Sequence, residues 1–313
     1  MSSFARSSKV KRLAHVWVLG ALSLVSSASL AQATPDYSEI AALFAERCVI
    51  CHNGPGAPLG LQLHSYEGVM RGSQRGPVVV PGDHDGSELI RRLKGISQPR
   101  MPLTGPPFLS DAQIDTVAAW VRAGAKPPAD KAAVNEASPP SLPAAGEPVT
   151  YAHVQPILLQ RCVKCHTDNG LMGRPPEGLR LQTLDQLLAG GERVVVVPGF
   201  PQASELVRRI RGLSLPRMPF DGPPYLTDQE IRVITDWVAQ EAPDTAGRKA
   251  PIPTGARVRL QGRLTGRWSL DGLPLDVGAG TRIKKRVGIG SYVRVRGSVG
   301  RDGRIQVSRI EAR

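Results

Sequence analysis

Cys48-Val49-Ile50-Cys51-His52 and Cys162-Val163-Lys164-Cys165-His166 decide the reading of this chain, and together they use all four of its cysteines. Cys-x-x-Cys-His is the pattern of covalent c-type haem attachment. Each thiol forms a thioether with one vinyl group, and the adjacent histidine takes one axial position on the iron. Each thiol must reach its own vinyl while the histidine lies under the metal, so the spacing is tight. One copy alone could be a zinc half-site. Two copies with no spare cysteine predict two covalently attached haem c groups, with His52 and His166 as the proximal ligands.

Around the motifs the chain repeats itself over residues 37–125 and 151–242. Phe44-Ala-Glu-Arg-Cys answers to Leu158-Leu-Gln-Arg-Cys, and Gly60-Leu-Gln-Leu to Gly178-Leu-Arg-Leu. Val78-Val-Val-Pro-Gly with Ser87-Glu-Leu-Ile-Arg-Arg answers to Val195-Val-Val-Pro-Gly with Ser204-Glu-Leu-Val-Arg-Arg. The copies are offset by 114 at the cysteines and 117 at Met101 and Met218, which suggests three extra residues near Gly173–Gly178.

Each copy reads as mostly helical. A first helix spans about Tyr37–Arg47, and its twin starts at about Val154, with Pro156 tolerable in a first turn. A middle helix follows an N-capping Ser87 or Ser204. The last helix opens on a capping box, Ser110 with Gln113 and Thr227 with Glu230. Ile114, Val117 and Val121, like Ile231, Ile234 and Val238, are spaced for one buried stripe, and Trp120 and Trp237 read as core.

A distal ligand must come from elsewhere. Met101 and Met218 hold equivalent places in an Arg-Met-Pro context, and a thioether is a soft neutral ligand that favours the reduced iron and suits electron transfer. Histidine fails the symmetry test, since His64 aligns with Gln182, His84 with Pro201 and His153 with Glu39. These three read as surface or packing residues. Arg100 and Arg217 could pair with haem propionates or face solvent.

Both copies resemble small bacterial class I cytochrome c domains, and most closely the type described as planctomycete cytochrome c. The resemblance rests on Cys-x-x-Cys-His, Ser-Glu-Leu-Ile/Val-Arg-Arg, Arg-Met-Pro and the closing Leu-Ser/Thr-Asp…Trp-Val segment, and it covers about residues 37–242.

The start of the chain is basic at Arg6, Lys9, Lys11 and Arg12, apolar from about Val16 to Leu30, and closes on Ala31-Gln32-Ala33. This predicts a secretory signal over residues 1–33 and a soluble periplasmic or otherwise exported mature chain. An uncleaved membrane anchor is the alternative. The remaining organisation is read as a first module at 34–125, a Pro/Ala-rich linker at 126–150, a second module at 151–242, a short linker at 243–254 and a basic domain at 255–313.

In that last segment the apolar period changes to two: Val258 and Leu260, Val293 and Val295, and Ile305 and Val307 alternate with polar residues. Five or six short strands are predicted, arranged as a small OB-like barrel. The segment resembles short bacterial β-domains of unknown function found in exported proteins, through its Val-x-Val-x-Gly…Asp-Gly-x-Ile rhythm. It holds fourteen Lys or Arg against four Asp or Glu, whereas residues 34–254 sum to about −1. Arginines on outward positions suit an acidic redox partner, a polyanion or lipid headgroups. Nucleic acid is not expected, because only Trp268 and Tyr292 could stack on bases.

The fold class is therefore multidomain: two mainly α-helical cytochrome c domains and a small all-β domain. The expected function is single-electron relay between redox proteins through two His/Met-ligated haems, without a catalytic residue. A dihaem peroxidase, a dehydrogenase subunit or a haem-based redox sensor is the alternative. Peroxidase chemistry needs an open distal site and two unlike haems, and the likeness of the two copies speaks against it.

Overall fold

A computed structural model of the protein describes residues 35–54, 56–129, 142–284 and 286–313. The expected signal at 1–33 and much of the 126–150 linker lie outside the described residues. The first module comprises α1 (Tyr37–Arg47), α2 (Tyr66–Arg71), α3 (Glu88–Lys94) and α4 (Asp111–Arg122). The second comprises α5 (Tyr151–Arg161), α6 (Leu184–Ala189), α7 (Glu205–Ile210) and α8 (Asp228–Ala239).

In each module the first helix packs on the last, because both carry a stripe of apolar residues at helical spacing. Ile40 and Phe44 on α1 meet a core that includes Ile114, Val117 and Val121 of α4. Val154 and Leu158 on α5 share theirs with Ile234 and Val238 of α8. Trp120 and Trp237 are fully buried. Their ring N–H groups donate to the carbonyls of Lys126 at 2.8 Å and Pro243 at 2.9 Å, so neither indole leaves an unpaired donor. Both capping boxes form as the spacing predicts.

The structure departs from the sequence reading at three points. First, α5 begins at Tyr151, so Pro156 lies in its second turn rather than its first. The missed start signal is Thr150: its N–H donates to His153 Nδ1 at 3.0 Å, with histidine in the place a capping box normally gives to Glu or Gln.

Second, Ser87 and Ser204 make no cap bond to the helices they precede. Each hydroxyl turns back instead, accepting from Val80 N–H or Val197 N–H at 2.8 Å and donating to the Asp83 or Phe200 carbonyl. The serine staples the Val-Val-Val-Pro-Gly loop shut.

Third, the second copy gains four residues rather than three. They lie between His166 and Gly178 and form a tight turn closed by the Gly170–Gly173 bridge. One residue is then lost between Gly190 and Val195, because α2 and α6 are equivalent and the Val78 and Val195 carbonyls hold equivalent positions ahead of α3 and α7.

The tail contains six strands: β1 (Arg257–Gly266), β2 (Ser269–Leu270), β3 (Leu273–Asp276), β4 (Arg282–Lys284), β5 (Tyr292–Val299) and β6 (Ile305–Ala312). They form one sheet in the order β3-β2-β1-β5-β6-β4, and β3 also pairs with β6. The pairings of β1, β2, β3, β6 and β5 thus run in a ring. Val258, Leu260, Val293, Val295, Ile305 and Val307 point to its inside, as period-two alternation requires, and a bulge at Ser308 shifts the phase so that Ile310 joins them.

This interior extends into the second module, since Val194, Val197 and Ala203 belong to the same apolar cluster. The tail is therefore packed against α7 and its flanking loops. That contact changes the outward face of β1: Gln261 occupies an outward position yet is 4% exposed, because the loop after α7 covers it. Among the described residues no helix is long and apolar enough to cross a membrane.

Candidate haem centres

The first helix of each module delivers its motif. α1 ends at Arg47, and the Cys48 N–H closes on Phe44 O at 2.8 Å; α5 ends at Arg161, and Cys162 N–H closes on Leu158 O at 2.8 Å. The chain then winds through one further turn, with His52 N–H on Cys48 O at 2.9 Å and His166 N–H on Cys162 O at 3.0 Å. Thiols and imidazole are thereby held on one compact loop.

Cys48 and Cys162 are buried, Cys51 and Cys165 are half-buried, and none is in a disulfide. Burial pushes the Cys48, Cys51 and Cys162 thiols up to about 12 and raises that of Cys165. Among the described residues, no three His, Cys, Asp or Glu side chains converge on a metal-holding group. The donor chemistry fits thioether attachment of haem and does not fit a zinc site.

Each histidine is oriented by a backbone carbonyl. His52 Nδ1 lies 3.3 Å from Leu61 O, and His166 Nδ1 lies 3.2 Å from Leu179 O. A proton on Nδ1 leaves Nε2 with its lone pair outward, the tautomer an iron ligand needs. Burial holds both imidazoles below their ordinary value, against the opposing pull of these carbonyl bonds, so both are neutral donors. The carbonyls are brought there by a left-handed pair, Leu59-Gly60 and Glu177-Gly178, with φ of 54° and 68° in the first copy and 54° and 69° in the second. Glycine follows the strained residue because a second side chain in that region would add to the strain. The Gly-Leu repeat was legible in the sequence; its service to the histidine was not.

Met101 and Met218 sit on equivalent loops between the middle and last helices. Their N–H groups donate to Arg92 O at 3.0 Å and Arg209 O at 3.1 Å, at the ends of α3 and α7. Both side chains are half-buried, and Met101 packs against the cluster that contains Cys48 and Val49. Met70 touches that cluster as well, but its counterpart is Leu188.

The preceding arginines are neither free nor solvent-facing. Arg100 Nε donates to Leu93 O at 3.0 Å with its guanidinium 4.2 Å over the Phe108 ring, and Arg217 does the same to Ile210 O at 3.2 Å and to the Tyr225 ring at 4.1 Å. A second brace comes from the Ser-Glu-Leu-x-Arg-Arg segment. Glu88 pairs with Arg92 and accepts from Ser97, while Arg92 reaches Pro99 O; Glu205, Arg209, Ser214 and Pro216 repeat the arrangement. Each methionine loop is thus tied to its helix by an ion pair, a serine and a stacked arginine.

The two centres adjoin. Thr167, next to His166, donates to Leu103 O at 3.1 Å, two residues beyond Met101. Gln182 Nε2 donates to Thr104 O at 3.1 Å, Asn169 to Arg100 O, and Gln160 to Ile50 O at 3.1 Å. Ile50, Cys51 and Leu103 of the first module pack on the core of the second.

The centres also differ in their surroundings, although the sequence presents them as equivalent. Among the described residues the tail shares its apolar cluster with the second module and not with the first. Arg259 joins Arg193 on Glu177, beside the turn that supports His166. Tyr292 Oη accepts from Leu215 N–H at 2.9 Å and lies 3.2 Å from Leu213 O, on the loop that leads to Met218.

A family model described as planctomycete cytochrome C matches residues 48–104 and 162–222. Each match runs from the first cysteine of a motif to just past the methionine loop. No curated protein and no solved structure matches the chain. The chain therefore carries two tandem planctomycete cytochrome C modules and is a haem protein of the cytochrome c type.

Proposed function

We propose that this is an exported dihaem c-type cytochrome that passes single electrons between redox proteins, with His52 and Met101 on one haem and His166 and Met218 on the other. The observation that carries the reading is the identical bracing of the two methionine loops. A distal ligand held by an ion pair, a serine and a stacked arginine keeps its geometry when the charge on the metal changes, which lowers the reorganisation that electron transfer requires. Bound haem supplies reversible one-electron exchange at iron. The residues anchor it through four thiols, orient each imidazole through a leucine carbonyl, and exclude solvent with an apolar core.

Contact between the first methionine loop and the flank of the second motif favours exchange between the haems. The ring of strand pairings in the tail suits a small OB-like barrel, and its arginines suit an acidic redox partner. The basic, apolar and small-residue segments at the start of the chain support export to the periplasm.

The test uses the haem-loaded protein. Two haems per chain, two one-electron potentials and near-infrared Met–Fe(III) absorption that halves in Met101→Ala and in Met218→Ala are expected. A five-coordinate haem that binds carbon monoxide or turns over peroxide would overturn the reading in favour of an enzyme or sensor.

A further inference from the structure

The contact between the two modules is a directional one that the repeat leaves open at its far end. In the first module the loop Arg100–Thr104 offers backbone carbonyls and the Leu103 side chain to the Cys-x-x-Cys-His flank of the second, where Thr167, Asn169 and Gln182 donate to them. The same loop exists in the second module as Arg217–Asp221, with Phe220 in the place of Leu103. It is built and braced alike, through the Arg217 stack on Tyr225 and the Glu205–Arg209 pair. Yet Phe220 is 74% exposed, the most exposed large apolar side chain among the described residues, and Leu215, five residues earlier in the chain, is 53% exposed. Among the described residues no donor reaches the Arg217, Phe220 or Asp221 carbonyls.

We infer that the Arg217–Asp221 loop is a docking surface for the Cys-x-x-Cys-His flank of a c-type haem domain in a separate redox protein. The inference rests on the electron-transfer reading above and names the partner class for it. The internal contact is its template: an apolar side chain seats in the flank of the receiving motif while amide and hydroxyl donors beside that motif take up the loop carbonyls. Replacing leucine by phenylalanine enlarges the anchor, and aromatic anchors dominate protein interfaces.

A second copy of this chain is a poor recipient. The loop's donors Thr167, Asn169 and Gln182 correspond to Asn53, Pro55 and His64 in the first module. Asn53 is 5% exposed and proline offers no side-chain N–H, which leaves His64 as one donor in place of three. Docking would place the partner's haem domain against the second centre as the second centre already lies against the first, and one electron would leave the reduced haem for the oxidised one with no bond made or broken.

The test mixes reduced, haem-loaded full-length protein with an oxidised soluble single-haem class I cytochrome c in stopped flow, with ferricyanide as a small oxidant for comparison. Phe220→Asp is expected to slow reduction of the cytochrome about tenfold. Its rate with ferricyanide, its two potentials and its Met–Fe(III) absorption should match the parent. Ile289→Asp, on an equally exposed apolar residue of the tail, should leave both rates unchanged. Equal rates with the cytochrome for parent and Phe220→Asp overturn the inference while leaving electron transfer intact. Self-association of the parent that Phe220→Asp abolishes overturns it in favour of a second copy. Failure to reduce ferricyanide sinks the electron-carrier reading itself, and this inference with it.

Discussion

The guanidinium of Arg208 on α7 forms an ion pair with Asp271, in the turn between β2 and β3, and the arginine side chain is 1% exposed. Arg208 Nη2 also donates to Gln261 O at 2.8 Å. Gly262 makes room for the pair, because a Cβ there would collide with both Asp271 and Arg208. The equivalent residue in the first module, Arg91, lies at the surface with a 3.8 Å contact to Glu88. One repeated residue thus serves as a solvated charge in one copy and as the bolt between module and tail in the other.

Removing one partner of a buried ion pair strands the other charge without water, which typically costs about 3–5 kcal/mol. Asp271→Ala should lower stability by that order. Asp302→Ala, at the exposed pair with Arg304, should change it by under about 1 kcal/mol. Thermal unfolding of the two variants decides the matter. If they melt alike, the Arg208 pair does not join the tail to the module.

Ser87 and Ser204 supply a sharper test of the loop staple. Both are fully buried, and Val80 N–H and Val197 N–H have the hydroxyl as partner. Ser→Ala at either site leaves that donor unsatisfied, at a cost of about 1–3 kcal/mol. The discriminating variant is Ser87→Asp. Aspartate caps helices as well as serine does, so a capping role would leave stability unchanged. The staple requires the small hydroxyl to donate to Asp83 O, and Ser87→Asp should therefore destabilise as Ser87→Ala does.

Glu88 and Glu205 occupy the same repeat position in opposite electrostatic settings. At Glu88 burial pushes the carboxyl up, but the Arg92 and Ser97 hydrogen bonds outweigh it and hold it below its ordinary 4.5. At Glu205, covered by the tail, burial prevails over Arg209 and raises it above 4.5. A lowered carboxyl contributes stability that is present above 4.5 and lost as pH falls through the folded value; a raised one contributes stability present below 4.5 and lost as pH rises through the folded value. The melting-temperature gap between parent and Glu88→Gln should therefore grow in the parent's favour from about pH 3 to pH 7, while the gap to Glu205→Gln should shrink or change sign. Parallel pH profiles would remove the asymmetry between the modules.

The haem motifs, the repeat, both capping boxes and the strand alternation were legible because each is a local pattern with a fixed period. What escaped were choices among local options and all remote pairings. A serine before a helix can bond forward or backward, and only the preceding loop decides which. A histidine three residues after Thr150 can cap a helix, but the expected residue there is Glu or Gln. Thr167, Gln182, Arg208 and Asp271 are ordinary polar residues whose partners lie more than 50 positions away. Breaks in the repeat were the available signal. Gln182 against His64 and the added turn before Gly178 both fall at the contact between modules, and they read in the sequence as neutral drift.

The outer face of the tail carries a row of arginines that strand pairing sets side by side. Arg259 lies opposite Arg296 across β1 and β5, Arg296 opposite Arg309 across β5 and β6, and Arg309 opposite Arg282 across β6 and β4. Like charges directly opposite on a sheet oppose folding by roughly 0.2–1 kcal/mol a pair. Arg259 is compensated by Glu177, whereas Arg309 has Glu311 only at 3.8 Å. Neighbouring Arg294 is held below its ordinary value by burial and by Arg313, Arg259 and Arg296. The acidic redox partner proposed above would offset this repulsion on binding. Arg296→Glu with Arg309→Glu should therefore keep or raise the melting temperature while slowing association with an acidic single-haem cytochrome about tenfold at low salt. The difference should vanish near 1 M salt, where screening acts within about 3 Å. Loss of stability with unchanged association would instead make the row a structural element of the sheet.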